Sequence, residues 1–538
     1  MNNIYLKYMK EQFIKQKKYI ICQMIIICIG SMIVAVLPVI HQSIINNVFV
    51  KNDFTYFKIL LMMMVVLYLF QSSFYVLKDF FQAKIEANIK LQIRTKLNNF
   101  IAKKKYLEYL KQGNEQVITR YSNDTDIISR HFSEDVFVLF EQIIIFVLAI
   151  FMILRISFIL LICMLFFLLV YYLLNKIMGI RLQNAIKELC VCREKSLGCF
   201  TENYSNNLLV KIYNLYDWIN KRFRFVYQKE YKQSIKTNII YSLNINITKL
   251  SVNILIIFSW LAGGYYIRTG KGTIGDVVAL TEYISILVSP FFYFGQFNNS
   301  LNEVYSSIER FEKEFAIPNE NINSGKMILE ITDILIKNIV FQYEVGGFKL
   351  GIGEFHMRRG EIIGLKGKSG CGKTTFINLL IQLYHADQGT IYVNNENCKN
   401  LKLEDIRKHI GYVPQDSLFF ETSIRENLFG NYRQKDIERL AKKIDIYQDI
   451  ERIHGGFEYI LKKNASNISG GQQKRIDILR VLLSDKDVII FDEVTAMLDK
   501  KRRDEFFEYI MELKKEKIII MITHNNSEWD YCDKIYEL

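Results

Sequence analysis

The sequence predicts two halves of different fold class, a membrane α-helical bundle followed by an α/β domain. Half of the 538 residues are hydrophobic, although the chain carries a formal net charge of +13 at pH 7. The long apolar stretches are confined to roughly the first three hundred residues. A glycine-rich segment, Gly367 to Thr374, follows a strand-like run in the remainder and has the spacing of a phosphate-binding loop.

Six apolar stretches in the first half are long enough to cross a bilayer, whose hydrocarbon core requires about 20 residues per helix. They lie near residues 19–40, 57–77, 134–154, 156–176, 240–266 and 274–294. The loops at residues 84–130 and 176–236 are long and rich in Lys and Arg. By the positive-inside rule, these loops and both termini face the cytoplasm. Their helical pattern predicts that the spans continue as helices into the cytosol, and bilayer lipid is the expected surrounding partner.

Domain boundaries follow from changes in composition. Residues 1–18 hold five lysines and no small-residue cleavage site, which predicts a retained cytoplasmic segment. We expect a transmembrane domain at 19–316, a polar linker at 317–328 and an α/β domain at 329–538. The nine cysteines are scattered, as is typical of reduced packing residues. The basic residues flank apolar runs, so a nucleic-acid partner is not expected.

The glycine-rich segment provides the first chemical prediction. Glycines allow backbone N–H groups to curl around phosphate oxygens, and the following helix directs its positive end towards them. Lys373 is expected to reach the β- and γ-phosphates, and the Thr374 hydroxyl to bind Mg²⁺. The alternative, a chance glycine turn, is disfavoured by the strand before it and the helix after it. The predicted ATP-binding residues here are Gly367, Lys368, Ser369, Gly370, Cys371, Gly372, Lys373, Thr374 and Thr375.

A second strand supplies two acids. The run from Asp487 to Glu493 contains the apolar residues Val488 to Phe491 and ends in Asp492 and Glu493. Asp492 is predicted to hold Mg²⁺ and Glu493 to act as general base on the attacking water. Acids at a strand end also cap helices, but the upstream phosphate-binding loop favours the catalytic role.

The segment Ser469, Gly470, Gly471 and Gln472 makes the prediction specific, because it lies between these two elements and resembles the signature of ABC transporter ATPases. In that family the signature binds the ATP held by a partner subunit. A hydroxyl and two amides without side chains, at a helix start, suit the γ-phosphate. The resemblance covers roughly the last 200 residues. It implies an α/β P-loop ATPase of ABC type that uses ATP and Mg²⁺.

The same resemblance assigns roles to four further residues. Tyr343, 24 residues before Gly367, is similar to the aromatic that stacks on adenine. Gln415 resembles the glutamine that senses Mg²⁺ and the γ-phosphate, so Thr374, Gln415 and Asp492 form the expected metal set. His524 resembles the switch histidine, and Asp499 the D-loop aspartate. A tyrosine or a histidine after a strand is often only structural, so these assignments depend on spacing.

The first half resembles the six-helix domain of exporter-type ABC proteins. Tyr121 to Asp126 is similar to the first coupling segment, and Glu202 to Tyr213 occupies the place of the second. One six-helix domain fused to one ATPase implies a half-transporter that works as a homodimer, or as a heterodimer with a second half-transporter. Lys462 and Lys463, just before the signature, depart from the Gly-Glu pair usual there, which affects the expected coupling.

Three ionisable residues lie in or near the predicted spans: His41, Glu141 and Glu282. Charges in a bilayer are costly and commonly functional, and Glu282 is the preferred substrate-contact candidate. Position at a helix end or in a wet cavity would also explain them. The expected function is ATP-driven export of a small peptide, amphiphilic drug or lipid across a bacterial cytoplasmic membrane. The alternative is an ATP-gated channel or a regulatory ABC protein that does not pump.

Overall fold

The computed structural model describes residues 2–538 except 52, 112–113, 323, 344–346, 369 and 498–499. The chain divides into two compact units. The first comprises Met1–Asn99 and Gly113–Ala316, and the second comprises Phe100–Gln112 and Ile317–Leu538. The first is helical and the second is built on sheets, which confirms the predicted pairing of a helical bundle with an α/β domain.

The first unit is dominated by long helices. Four of them contain 42 to 53 residues, which at about 1.5 Å per residue greatly exceeds the thickness of a bilayer core. The helices are α1 (Asn2–Lys15), α2 (Lys17–Ser43), α3 (Phe57–Ala102), α5 (Asn114–Thr119), α6 (Thr125–Arg130), α7 (Val136–Ile156), α8 (Phe158–Ser205), α9 (Asn207–Ile212), α10 (Tyr216–Arg268) and α11 (Ile274–Phe315). Short π-helical turns occupy Ile44–Val50, Arg120–Asp124 and His131–Asp135.

Five helical segments among the described residues are long and apolar enough to span a membrane. They are Lys17–Val50, Phe57–Ala102, Val117–Ile156, Tyr216–Arg268 and Ile274–Phe315. Each contains one of the predicted spans. The predicted span at 156–176 lies mainly in α8, where some side chains are outside the described residues, and it stays a prediction.

The second unit contains two sheets. A parallel sheet has the order β6-β7-β8-β3-β9, and an antiparallel sheet has the order β2-β1-β4-β5. The strands are β1 (Asp333–Gln342), β2 (Lys349–Arg358), β3 (Ile362–Lys366), β4 (Gln388–Val393), β5 (Glu396–Asn397), β6 (Ile410–Val413), β7 (Val488–Asp492), β8 (Ile518–Ile522) and β9 (Lys534–Glu537). The helices are α4 (Tyr106–Lys111), α12 (Lys373–Leu380), α13 (Leu403–His409), α14 (Gln434–Lys443), α15 (Tyr447–Glu451), α16 (Gly470–Leu483) and α17 (Lys500–Leu513).

The parallel sheet brings the phosphate-binding loop and the acidic strand together. Strands β7 and β8 are buried along their whole length, as the continuous apolar runs Val488–Phe491 and Ile518–Ile522 predict. β8 pairs with both β7 and β3. Because the carboxyl ends of parallel strands share one edge of a sheet, the segments that follow β3, β6, β7 and β8 meet at that edge.

Phe100–Gln112 belongs to the second unit, although membrane helices flank it in sequence. Its helix α4 places Tyr106 and Leu107 against the core of that unit. The Tyr106 and Tyr384 ring centroids are 6.1 Å apart, and the Glu320 N–H donates to the Lys103 carbonyl at 2.8 Å. Phe100–Gln112 therefore packs on the α/β domain as part of the second unit.

The role of Tyr121 to Asp126 as the first coupling segment stays a prediction. These residues lie within the first unit, where Asp124 is 1% exposed. Its carboxylate accepts hydrogen bonds from Arg310 Nε at 2.9 Å and Ser307 Oγ at 3.1 Å. Asp124 therefore neutralises Arg310, a cation of α11, within the first unit.

Candidate nucleotide-binding and hydrolysis site

The phosphate-binding loop joins the end of β3 to the start of α12. Gly370 and Gly372 have φ values of 81° and 109°, which residues with a side chain rarely adopt. A Cβ on Gly372 would also come within 2.8 Å of Leu350. The Lys373 ammonium donates to the carbonyls of Gly367 at 2.8 Å and Lys368 at 3.2 Å. The side chain of Lys373, the predicted phosphate-binding lysine, therefore lies against the backbone of its own loop.

The first turn of α12 presents two hydroxyls in different environments. Thr374 is exposed at the helix start, whereas Thr375 is buried and its Oγ1 lies 2.8 Å from the Tyr343 hydroxyl. The Tyr343 ring packs edge-on against Phe341 and Tyr384, at centroid distances of 5.1 and 5.5 Å. The aromatic predicted to stack on adenine is therefore held beside the phosphate-binding helix, and the stacking itself stays a prediction.

Two acids end β7, and they differ in environment. Asp492 is 4% exposed, and the Tyr412 hydroxyl donates to its Oδ2 at 3.0 Å. Burial raises the pKa of the Asp492 carboxyl, while the Tyr412 hydrogen bond and the charges of Lys474 and Lys373 act in the opposite direction. Glu493 follows with a φ of 51°, an uncommon conformation that turns it out of the strand.

Of the three residues predicted to be catalytic, Glu493 contacts both Gln415 and His524. The Glu493 carboxylate places Oε1 2.9 Å from His524 Nε2 and accepts a hydrogen bond from Gln415 Nε2 on Oε2 at 2.8 Å. Gln415, Glu493 and His524 follow the neighbouring strands β6, β7 and β8, which explains their meeting. Such an arrangement can orient a carboxylate as a general base.

The signature segment begins α16. The Ser469 Oγ accepts from the Gln472 N–H at 3.3 Å, and the Gln472 Oε1 accepts from the Ser469 N–H at 2.9 Å. A serine followed three residues later by glutamine is the sequence signal for this reciprocal capping box. The family resemblance assigned Gln472 only the role of a signature residue. Ser469 and Gly470 are exposed. Gln472 therefore shapes the helix start that presents the other signature residues.

Sequence reasoning missed one residue next to the site, Lys474. It is 2% exposed, and its ammonium donates to the carbonyls of Pro414 and Gln415 at 2.6 and 2.7 Å. Its position on the same helix face as Ile478 and Val481 was the available signal, because a lysine on a buried face must find oxygen partners.

The metal prediction is compatible with the residues present. Among the described residues, no group of three or more His, Cys, Asp or Glu side chains could hold a metal ion. The set Thr374, Gln415 and Asp492 has only one carboxylate, which suits Mg²⁺ bound partly by nucleotide phosphates. Ser369 and Asp499 lie outside the described residues.

The ionisable residues of the membrane half are paired across helices. His41 Nδ1 lies 2.6 Å from Glu282 Oε1, and Lys78 Nζ lies 2.6 Å from Glu141 Oε2. Glu282 keeps a side-chain exposure of 34%, against 11% for Glu141. Its contact with a substrate stays a prediction.

Two family models match the chain. The ABC transporter transmembrane region matches residues 20–291, and the ABC transporter model matches residues 352–496.

Relatives include a lactococcin-G-processing and transport ATP-binding protein of Lactococcus lactis subsp. lactis, 30% identical over 341 residues. That match covers 61% of this chain and 48% of the relative, so the chain spans about half the relative's length. An ABC transporter ATP-binding protein of Bacillus subtilis is 25% identical over 97% of this chain and 88% of its own length. The structure of a bacterial Atm1-family ABC exporter with ATP bound has the same fold, with a TM-score of 0.82 at 18% identity, covering 97% of this chain and 93% of that one.

Proposed function

Because the chain belongs to the ABC transporter family, with a transmembrane region and an ATP-binding region in one polypeptide, we propose that it is one half of a dimeric, ATP-driven exporter. The observation that carries the proposal is the contact of Glu493 with Gln415 and His524 beside the phosphate-binding loop. It supplies a positioned base where a γ-phosphate would arrive.

In the proposed reaction, Glu493 accepts a proton from the water that attacks the γ-phosphate of ATP. The Gln415 amide and the His524 ring orient the carboxylate through contacts of 2.8 and 2.9 Å. Lys373 releases the carbonyls of its own loop and turns to the phosphates. Thr374, Asp492 and Gln415 would hold Mg²⁺, which would neutralise charge on the phosphates.

The proposed dimer explains why the signature faces outward. Ser469 and Gly470 are exposed, and the Ser469 hydroxyl proton is available because its oxygen only accepts in the capping box. A γ-phosphate held by the loop of a second subunit would satisfy that donor and the α16 amides. Either a homodimer or a heterodimer provides this arrangement, with Asp499 in the expected D-loop.

Coupling to the membrane is proposed at the end of the hairpin formed by α8, α9 and α10. Leu208, Ile212 and Tyr213 expose 60 to 70% of their surface there. Exposed apolar groups of this kind mark docking surfaces. We assign this tip, within the predicted segment Glu202 to Tyr213, to docking on a nucleotide-binding unit of the dimer.

The proposed setting is a bacterial cytoplasmic membrane, with both termini and the ATPase on the cytoplasmic side. Relatives named for lactococcin-G, mesentericin and leukotoxin transport or translocation support a peptide among the candidate substrates. Amphiphilic drugs and lipids are the other candidate classes, and Glu282, paired with His41, is the candidate substrate contact in the membrane half.

Replacing the proposed base tests the hydrolytic step. Glu493→Gln keeps the side-chain shape but removes the proton acceptor, so we expect ATP binding to persist, the dimer to remain closed and steady hydrolysis to fall by about 100-fold or more. The measurement is ATP turnover and nucleotide retention by the purified full-length dimer. Glu516→Gln, an exposed carboxyl of the same unit, is the control. Normal turnover by Glu493→Gln would overturn the assignment.

Uptake of a labelled compound into inverted membrane vesicles distinguishes an exporter from an ATP-gated channel. An exporter accumulates a labelled compound against its gradient with ATP and loses this in Glu493→Gln. An ATP-gated channel only equilibrates the compound.

A further inference from the structure

Three polar side chains lie one turn apart on the same face of α16: Lys474, Asp477 and Arg480. Lys474 and Asp477 are 2% and 1% exposed, and the Arg480 side chain is 16% exposed. Burying three charges is unfavourable unless each is satisfied by partners. The hydrogen-bond partners of these three side chains show which segment of the chain this face of α16 contacts.

Lys474 holds the backbone of the segment that carries Gln415. Its ammonium donates to the carbonyls of Pro414 and Gln415, at 2.6 and 2.7 Å. Burial lowers the pKa of Lys474, while the nearby acids Asp477, Asp492, Asp416 and Glu493 act in the opposite direction. The two carbonyls therefore replace the water that the ammonium lost. The Gln415 side chain in turn donates to Glu493 at 2.8 Å.

Arg480 extends the attachment along the same segment. Its guanidinium pairs with Asp477 at 2.8 Å and donates to the carbonyls of Asn427 at 2.6 Å and Leu418 at 3.2 Å. It also lies between the rings of Phe419 and Phe429, 4.9 and 4.6 Å from their centroids. The loop after β6 is thus attached at both ends to one rigid helix.

We propose that the face formed by Lys474, Asp477 and Arg480 positions Gln415 for hydrolysis by tying its backbone to the signature helix. Ser469 caps the start of the same helix, so a displacement of the signature moves the carbonyls of residues 414 and 415 with it. The contact of Gln415 with Glu493 then depends on the position of the signature. Lys474 is a positioning residue, and its role rests on the proposed function of Glu493.

The test compares Lys474→Met with wild type in the purified full-length dimer. Methionine has a similar length but no donor, so the Gln415 backbone is released. We expect kcat for ATP hydrolysis to fall about 10- to 100-fold, because small misplacements of a catalytic group have effects of this size. The KM for ATP should change little, because the phosphate-binding loop is untouched. Lys474→Arg, which keeps donors for the carbonyls, should recover part of the loss.

Lys517 provides the matched control. It is also a buried lysine, 8% exposed, and donates to a backbone carbonyl, that of Lys486, at 2.7 Å. Lys517→Met should therefore lower stability without changing kcat per folded ATP site. Equal kcat losses in Lys474→Met and Lys517→Met would overturn the positioning role.

A double variant separates this inference from the proposed base. If Lys474 acts through Gln415 and Glu493, Lys474→Met adds little further loss to Glu493→Gln, because residues that act as a unit are not additive. A wild-type kcat in Lys474→Met beside an inactive Glu493→Gln would overturn the positioning role and leave the base assignment intact. Full activity in Glu493→Gln would overturn both the base assignment of Glu493 and the positioning role of Lys474, because Lys474 is proposed to act through Glu493.

Discussion

At the residue scale, the end of strand β7 gives two adjacent acids different environments. Asp492 is buried at the end of β7, whereas Glu493 turns out of the strand into contact with Gln415 and His524. A buried carboxyl is harder to ionise, and the Tyr412 hydroxyl offsets part of that cost by donating to Asp492. The two acids are therefore suited to different tasks, binding a cation and accepting a proton.

The raised pKa of Asp492 predicts how hydrolysis depends on pH. The Asp492 carboxylate, proposed to hold Mg²⁺, exists above its pKa and is lost as pH falls through that pKa. Because the pKa is raised, this loss occurs at a higher pH than for an ordinary aspartate. Tyr412→Phe removes the favourable hydrogen bond. We expect the acid limb of Mg²⁺-dependent kcat/KM to move to higher pH in Tyr412→Phe.

The measurement is the pH profile of ATP hydrolysis at limiting Mg²⁺. Tyr392→Phe, in strand β4 of the antiparallel sheet, is the control and should leave the acid limb in place. Superimposable profiles for Tyr412→Phe and wild type would contradict a role of this hydroxyl in the ionisation of Asp492.

At the element scale, the residues predicted to be a polar linker make specific contacts. Glu320 accepts two hydrogen bonds from Arg407 of α13, at 2.6 and 3.0 Å. Arg407 also donates to the carbonyls of Ile381 and Gln382, at 3.2 and 2.8 Å. These carbonyls end the phosphate-binding helix α12, so one guanidinium caps that helix and anchors the chain that enters the domain.

Arg407→Met is expected to destabilise the end of α12. It leaves the Glu320 carboxylate, 12% exposed, and two carbonyls without a donor, a change of about 3 kcal/mol. The measurement is amide hydrogen exchange of residues 373–382 in the full-length protein, which should become faster as the end of α12 is destabilised. Arg359→Met removes a more exposed pair with Glu330, whose side chain is 58% exposed, and should cost at most about 1 kcal/mol. Equal exchange in both variants would contradict the capping role.

Local pattern was sufficient to predict the elements but not their contacts. Asp492, Gln415 and His524 each follow an apolar strand, so their place at one sheet edge could be expected from the sequence. The hydrogen bond from Gln415 to Glu493 and the contact of Glu493 with His524 could not be predicted, because they depend on side-chain geometry after folding. The pairing of Asp124 with Arg310 could not be predicted either, because the two residues are 186 apart in the sequence.

At the scale of the whole molecule, the two segments proposed to form a composite ATP site start different helices of one chain. The phosphate-binding loop starts α12, and the signature starts α16 with Ser469 exposed. The proposed dimer would join the loop of one subunit to the signature of the other. Two damaged subunits can then complement each other.

Co-expression of differently tagged Lys373→Ala and Ser469→Arg subunits tests this composite site. Each variant alone should be inactive, because every site in its homodimer carries a lesion. The mixed dimer places both lesions in one site and leaves the other intact, so ATPase activity should return after tandem purification. Mixing Lys373→Ala with Lys373→Met subunits is the control and should restore nothing. An inactive mixed dimer would contradict sharing of ATP sites between subunits.

Because Phe100–Gln112 belongs to the ATP-binding unit, two separate stretches of the chain form that unit. One stretch lies between two membrane helices and the other follows Ala316. A fragment cut at the linker would lack Tyr106 and Leu107 and would expose the apolar surface that they cover, including Tyr384. The folding unit is therefore discontinuous in the gene, and recombination that exchanges only the C-terminal portion between relatives breaks it at a packed interface.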